Sequence, residues 1–116
     1  MFVKYATMIV NDMDESVKFY TETLDFTVDE VFNLPTGKIT LLNGDGDAGL
    51  ELIENTDFKT GIYSIGMDVE DIEKEISELK QKGAEIAMDI TPISVGLMAR
   101  IIDPNGINIV LIEHKN

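Results

Sequence analysis

The sequence predicts an α+β fold in which two tandem βαβββ modules form a curved mixed sheet around a shared trough. Three observations carry this expectation. Residues 100–114, R-I-I-D-P-N-G-I-N-I-V-L-I-E-H, spell a hairpin. Asp103 accepts from nearby backbone, Pro104 pre-sets φ, Asn105 tolerates the third slot of the turn, and Gly106 accepts positive φ. The strand that follows puts Ile107, Ile109 and Leu111 on one face and Asn108, Val110 and Ile112 on the other, so both faces should be covered. Next comes an internal repeat. Leu52-Ile53-Glu54 recurs as Leu111-Ile112-Glu113, and Met8-x-Val10-x-Asp12 recurs as Met67-x-Val69-x-Asp71, both offset by 59 positions (111 − 52 and 67 − 8). A shared offset points to a duplication. Finally, 116 residues are one domain's worth of chain, so the two halves are expected to share a core. The expected division is module one over 1–54, a linker over 55–60, and module two over 61–116.

Taken in order, residues 2–10 are rich in β-branched and aromatic types and end at Asn11-Asp12. Asp12 is placed to cap a helix, and Glu15 follows at capping-box spacing. Met13, Val17, Tyr20 and Leu24 recur four, three and four apart, an apolar stripe suited to lie on a sheet. Residues 26–33, 36–43 and 48–54 read as three strands, separated by Leu34-Pro35 and by Gly44-Asp45-Gly46-Asp47. The pattern then restarts. Residues 61–69 form a strand, and Glu70-Asp71 opens a helix with the stripe Ile72, Ile76 and Leu79 and a terminating Gly83. Residues 84–90 form a strand broken by Thr91-Pro92, and residues 95–102 pair with 107–113 through the hairpin.

Composition narrows the function. Nine basic against twenty-two acidic residues give a formal charge of −13, which opposes nucleic acid and anionic membrane surfaces as partners and is compatible with a cationic small ligand. With no cysteine, the chain has no disulfide, thiolate metal site or thiol nucleophile. No apolar run approaches the roughly 18 residues of a spanning helix, and the N-terminus leads directly into a strand. The expectation is a cytoplasmic protein.

The paired βαβββ halves, the V-x-D-x-x-x-S-x-x-F-Y run from Val10 to Tyr20, and the D-P-x-G turn at residues 103–106 resemble the vicinal oxygen chelate superfamily. That group includes glyoxalase I, the bleomycin-resistance proteins and extradiol dioxygenases. In its metal-dependent members the resemblance implies a divalent ion held by one side chain from the first and one from the last strand of each half. Seven residues before Asp12 and Asp71 lie Tyr5 and Ser64, and the last-strand positions fall at Glu51 and Val110. Both pairs keep the offset of 59 (64 − 5 and 110 − 51). First-row divalent ions want imidazole or carboxylate donors, so this set predicts no metal and no cofactor.

Glu51 is the candidate catalytic acid or base, or else a solvated strand carboxylate. Tyr5, Ser64, Met98, Arg100 and Val110 are the candidate ligand contacts. Arg100, the sole arginine, is read as a clamp for an anionic group, as a partner for Glu51, or as a charge on an edge strand in water. His114, the sole histidine, matches no ligand position. Asn43, Asp45, Asp47 and Glu54 imitate calcium-loop spacing, but Ala48 occupies the glycine position and the flanks are strands. The leading expectation is a metal-independent homodimer binding a small organic molecule, as the resemblance to the bleomycin-resistance branch implies. The alternatives are a glyoxalase-type lyase or isomerase using Glu51, and a dimeric sensing or interaction module without chemistry.

Overall fold

The computed structural model describes residues 1–115. The chain divides into two compact units, Tyr5–Tyr63 and Met1–Lys4 with Ser64–Asn116. The elements run β1 (Phe2–Val10), α1 (Met13–Lys18), a π-helical turn (Phe19–Thr23), β2 (Thr27–Leu34), β3 (Gly37–Asn43) and β4 (Gly49–Glu54). Then follow β5 (Gly61–Asp68), α2 (Ile72–Gln81), β6 (Glu85–Ile93), β7 (Gly96–Ile102) and β8 (Asn108–His114). The α+β class and the βαβββ order, twice over, are as expected from the sequence.

In the first unit the strands lie in the order β2-β3-β4-β1, with β1 parallel to β4 and the other neighbours antiparallel. The second unit repeats this as β6-β7-β8-β5, with β5 parallel to β8. One face of each sheet is covered by its helix. Met13, Leu42 and Leu52 are buried beneath α1 with Met8, Val17 and Tyr20 packed around them, and Val69, Ile72, Ile76, Ala99 and Leu111 form the matching core beneath α2.

The repeated motifs have a shared structural meaning. Asp12 accepts from Glu15 N at 3.0 Å, and Asp71 accepts from Lys74 N at 3.2 Å, so each helix is capped by its own preceding aspartate. A second carboxylate arrives from the last strand of the same unit. Glu54 Oε2 accepts from Met13 N at 2.7 Å, and Glu113 Oε1 accepts from Ile72 N at 3.0 Å. Two of the otherwise unpaired amides at each helix start are thus satisfied by anions, which the helix dipole also favours. Glu54 therefore serves the helix start rather than the calcium-like spacing around it.

Gly37 and Gly96, again 59 apart (96 − 37), open β3 and β7 with φ of 144° and 151°. A Cβ on Gly37 would meet Glu54 O at 2.5 Å, and one on Gly96 would collide with Glu113 O. Only glycine lets each turn pass so close to the strand that bears the capping glutamate. The 103–106 turn forms as expected, with Asp103 Oδ1 accepting from Asn105 N and Ile107 N, both at 2.8 Å, and Gly106 at φ 83°.

Three expectations need correction. The stripe of helix one does not reach Leu24. After Lys18 the backbone widens into a π turn, Leu24 N donates to Phe19 O, and the added residue rotates Leu24 out to 46% exposure. Phe26 takes its place against Tyr20, with ring centroids 6.0 Å apart. Nor does Thr91-Pro92 end a strand, since β6 runs through to Ile93. It is the outermost strand of its sheet, where a missing N–H leaves no neighbour unpaired. Arg100, finally, is not on an edge, because β7 pairs with both β6 and β8.

Candidate functional site

Because side chains alternate along a strand, the helix-covered core fixes which residues stand on the opposite, helix-free face. In the first unit that face carries Tyr5 and Thr7 from β1 and Glu51 from β4. Tyr5 stands opposite Gly49 in register, and Thr7 stands opposite Glu51. Thr7, only 2% exposed, donates from Oγ1 to Glu51 Oε1 at 2.7 Å. Glu51 is therefore a half-buried carboxylate held in one orientation, rather than the solvated strand residue that was its other reading. Two of the sequence candidates, Tyr5 and Glu51, thus share one face, and Thr7 is the residue that sequence reasoning missed. Alternation from Tyr5 signals its face, but its pairing depends on the register of two strands 44 residues apart.

In the second unit the corresponding face carries Ser64, Met98, Arg100 and Val110. Ser64 is 4% exposed and stands opposite Asn108. Gly66, Val110 and Arg100 follow one another across β5, β8 and β7 in one row, with Met88 of β6 beyond Arg100. Met98 stands opposite Ile112. Arg100 Nε is buried and has no hydrogen-bond partner among the described residues. The row explains why, since neither Gly66 nor Val110 offers a polar side-chain atom. Nearer the strand ends, Asp68 Oδ1 lies 3.1 Å from His114 Nε2. A polar cleft at the start of α1, lined by Asn11, Asp12, Thr36, Gly37 and residues 54–57, contains none of the candidate residues.

The four positions implied for a metal do not fit one. The first unit supplies Tyr5 and Glu51, the latter already engaged by Thr7. The second supplies the hydroxyl of Ser64 and the alkyl side chain of Val110. A neutral hydroxyl is a poor ligand for a first-row divalent ion, and an alkyl group is none. Among the described residues no group of three or more His, Cys, Asp or Glu side chains is placed to hold a metal ion.

Each unit is thus a βαβββ module with one helix-covered face and one helix-free face bearing polar side chains. The family model of the Glyoxalase/Bleomycin resistance protein/Dioxygenase superfamily matches residues 3–111, and the chain belongs to that superfamily. A probable lactoylglutathione lyase of Synechocystis sp. is 30% identical, with 97% of this chain and 95% of that protein covered. Among solved structures, a hypothetical protein of Bacillus halodurans C-125 superposes with a TM-score of 0.84 at 23% identity, covering 99% of this chain and 95% of its own. The methylmalonyl-CoA epimerase of Mycobacterium tuberculosis does so with a TM-score of 0.82 at 17% identity, covering 98% and 88%. These two structural likenesses establish the shared fold.

Proposed function

We propose that this protein binds a small organic molecule on the helix-free faces of its sheets, without the divalent metal of the superfamily's metal-dependent members. The observation that carries the proposal is the donor set at the four matched positions, Tyr5, Glu51, Ser64 and Val110. It offers one carboxylate, and Thr7 already holds an oxygen of that carboxylate. Calorimetric titration with Ni(II), Zn(II) and Fe(II) tests it directly. Weak, non-stoichiometric heats are expected, and tight one-to-one binding of any of the three overturns the proposal. Methylglyoxal with glutathione is the companion assay, because relatives carry the name lactoylglutathione lyase. Chelator-sensitive turnover would show that the ligand positions lie elsewhere.

The Thr7–Glu51 hydrogen bond favours one second reading, a lyase or isomerase in which Glu51 moves a proton. A half-buried carboxylate with one oxygen held by a buried hydroxyl suits such a step. E51Q separates the two readings. An enzyme loses turnover while keeping ligand affinity, whereas a binding protein changes affinity alone.

We further infer a cytoplasmic homodimer. The absence of cysteine suits a reducing compartment, and among the described residues no helix is long and apolar enough to cross a membrane. The outermost strand of the first unit, β2, leaves Val31, Phe32 and Leu34 exposed, an apolar edge that a second copy would cover. Light scattering should give twice the 12.9 kDa of the chain, and a monomeric mass rules the dimer out.

A further inference from the structure

The one arginine narrows the proposed binding role to a class of ligand, and its assignment rests on that role. Arg100 is the only arginine in a chain with twenty-two acidic residues. Carboxylates are abundant, yet its Nε is buried and has no hydrogen-bond partner among the described residues. A buried donor on a charged group without an acceptor destabilises a fold, so the arrangement calls for an acceptor from outside the chain.

We propose that Arg100 anchors the carboxylate of an organic ligand on the helix-free face of the second unit. The guanidinium presents its donors in a planar fork that matches the two oxygens of a carboxylate. Its surroundings supply the rest of the recognition. Ser64 and Asn108, paired on β5 and β8, are neutral groups able to meet polar atoms of the ligand. Val110, beside Arg100 on β8, and Met98, two residues along β7, place apolar side chains on the same face as the arginine. The only carboxylate among these strand positions, Asp68, faces His114. One cation among neutral neighbours balances a monoanion, whereas a dianionic phosphate would be left half-neutralised in a chain of charge −13. The overall charge does not forbid an anion here, because charges beyond about 8–10 Å are largely screened at physiological ionic strength.

Arg100 being unique, the ¹⁵N-labelled protein has a single arginine Nε–Hε resonance, which reports on this site alone. Benzoate, benzamide and benzamidine share one ring and differ in carrying a negative, neutral or positive group. Benzoate is expected to move the Nε–Hε resonance saturably, and at least tenfold more tightly than either relative or inorganic phosphate. In R100M the benzoate response should fall at least tenfold while the melting temperature stays unchanged or rises, since methionine removes the unpartnered donor and keeps the packing. A merely structural arginine would instead lower the melting temperature on substitution. The inference is overturned if benzamide, benzamidine or phosphate binds as tightly as benzoate, if R100M retains benzoate, or if none of the probes moves the Nε–Hε resonance. Should benzamide or benzamidine bind and shift only the amides of Tyr5, Thr7 and Glu51, the carboxylate assignment falls and the metal-free binding role stands. Stoichiometric Ni(II) binding removes that role whatever Arg100 does.

Discussion

At Thr7 a hydroxyl sits where a β-sheet ordinarily welcomes valine, and its hydrogen bond to Glu51 is the reason it belongs there. Replacing it with valine keeps the shape and removes the donor. T7V is expected to lose about 1.5–3 kcal/mol in urea melts, the usual net worth of a hydrogen bond to a charged group after solvent competition. A T7V/E51A double-mutant cycle, in which each single change removes the hydrogen bond, should show a coupling energy of at least about 1 kcal/mol, and additivity would mean the contact contributes nothing to stability. Glycines give a second contrast at this scale. Gly61 and Gly96 both have positive φ, at 123° and 151°, but a Cβ on Gly61 meets nothing within 4 Å whereas one on Gly96 runs into Glu113 O. G61A should therefore cost only the backbone strain, about 1–2 kcal/mol. G96A adds displacement of the strand that carries the α2-capping glutamate and should cost at least about 3 kcal/mol. Equal losses in thermal or urea unfolding would show that the close approach to β8 does not matter.

The elements are held by the same residues that made the duplication visible. Leu52 and Leu111 of the repeated L-I-E are fully buried, and its glutamates reach the first amides of α1 and α2. E113Q keeps an acceptor and removes the charge from the start of α2. It should cost about 1 kcal/mol and speed hydrogen exchange in the first turn of that helix more than elsewhere. Uniform exchange changes would place the role of Glu113 outside the cap. Element order, both N-caps, the hairpin and the offset were legible in the sequence because each rests on local chemistry or on repetition. The π turn at Phe19–Thr23 was not, since one extra residue in a helical turn leaves no mark on composition and shifts only the phase of Leu24. The run of β6 through Pro92 was not legible either, because tolerance of proline depends on lying outermost, a property of strand order. For the candidate site, alternation put Met98 and Arg100 on one side of their strand. The partnerless state of Arg100 Nε depends on which residues the register sets beside it, and Gly66 lies far away in sequence.

For the molecule as a whole, charge is the term that the fold does least to offset. The ion pairs Lys80–Asp89, His114–Asp68 and Lys115–Glu113 each have at least one partner that is more than half exposed. Such pairs contribute about 0–1 kcal/mol apiece and weaken as salt rises. Against them stand twenty-two carboxylates and a net charge of −13, whose mutual repulsion also weakens as salt rises but acts against the folded state. The two effects have opposite signs, and their sizes decide the outcome. With nine lysine and arginine side chains against twenty-two carboxylates, most carboxylates have no cation to pair with, and screening should release more repulsion than attraction. Raising sodium chloride from about 10 mM to about 300 mM, where the Debye length shrinks from roughly 30 Å to under 8 Å, is expected to raise the melting temperature. A gain of about 1 kcal/mol corresponds to roughly 3–6 °C for a domain of this size. K80M tests the balance further, because deleting a cation from an acidic surface removes one weak pair and deepens the repulsion. Its melting temperature should lie below that of the wild type at low salt and approach it at high salt. A wild-type melting temperature that falls as salt is added would mean that attractive pairing outweighs the imbalance.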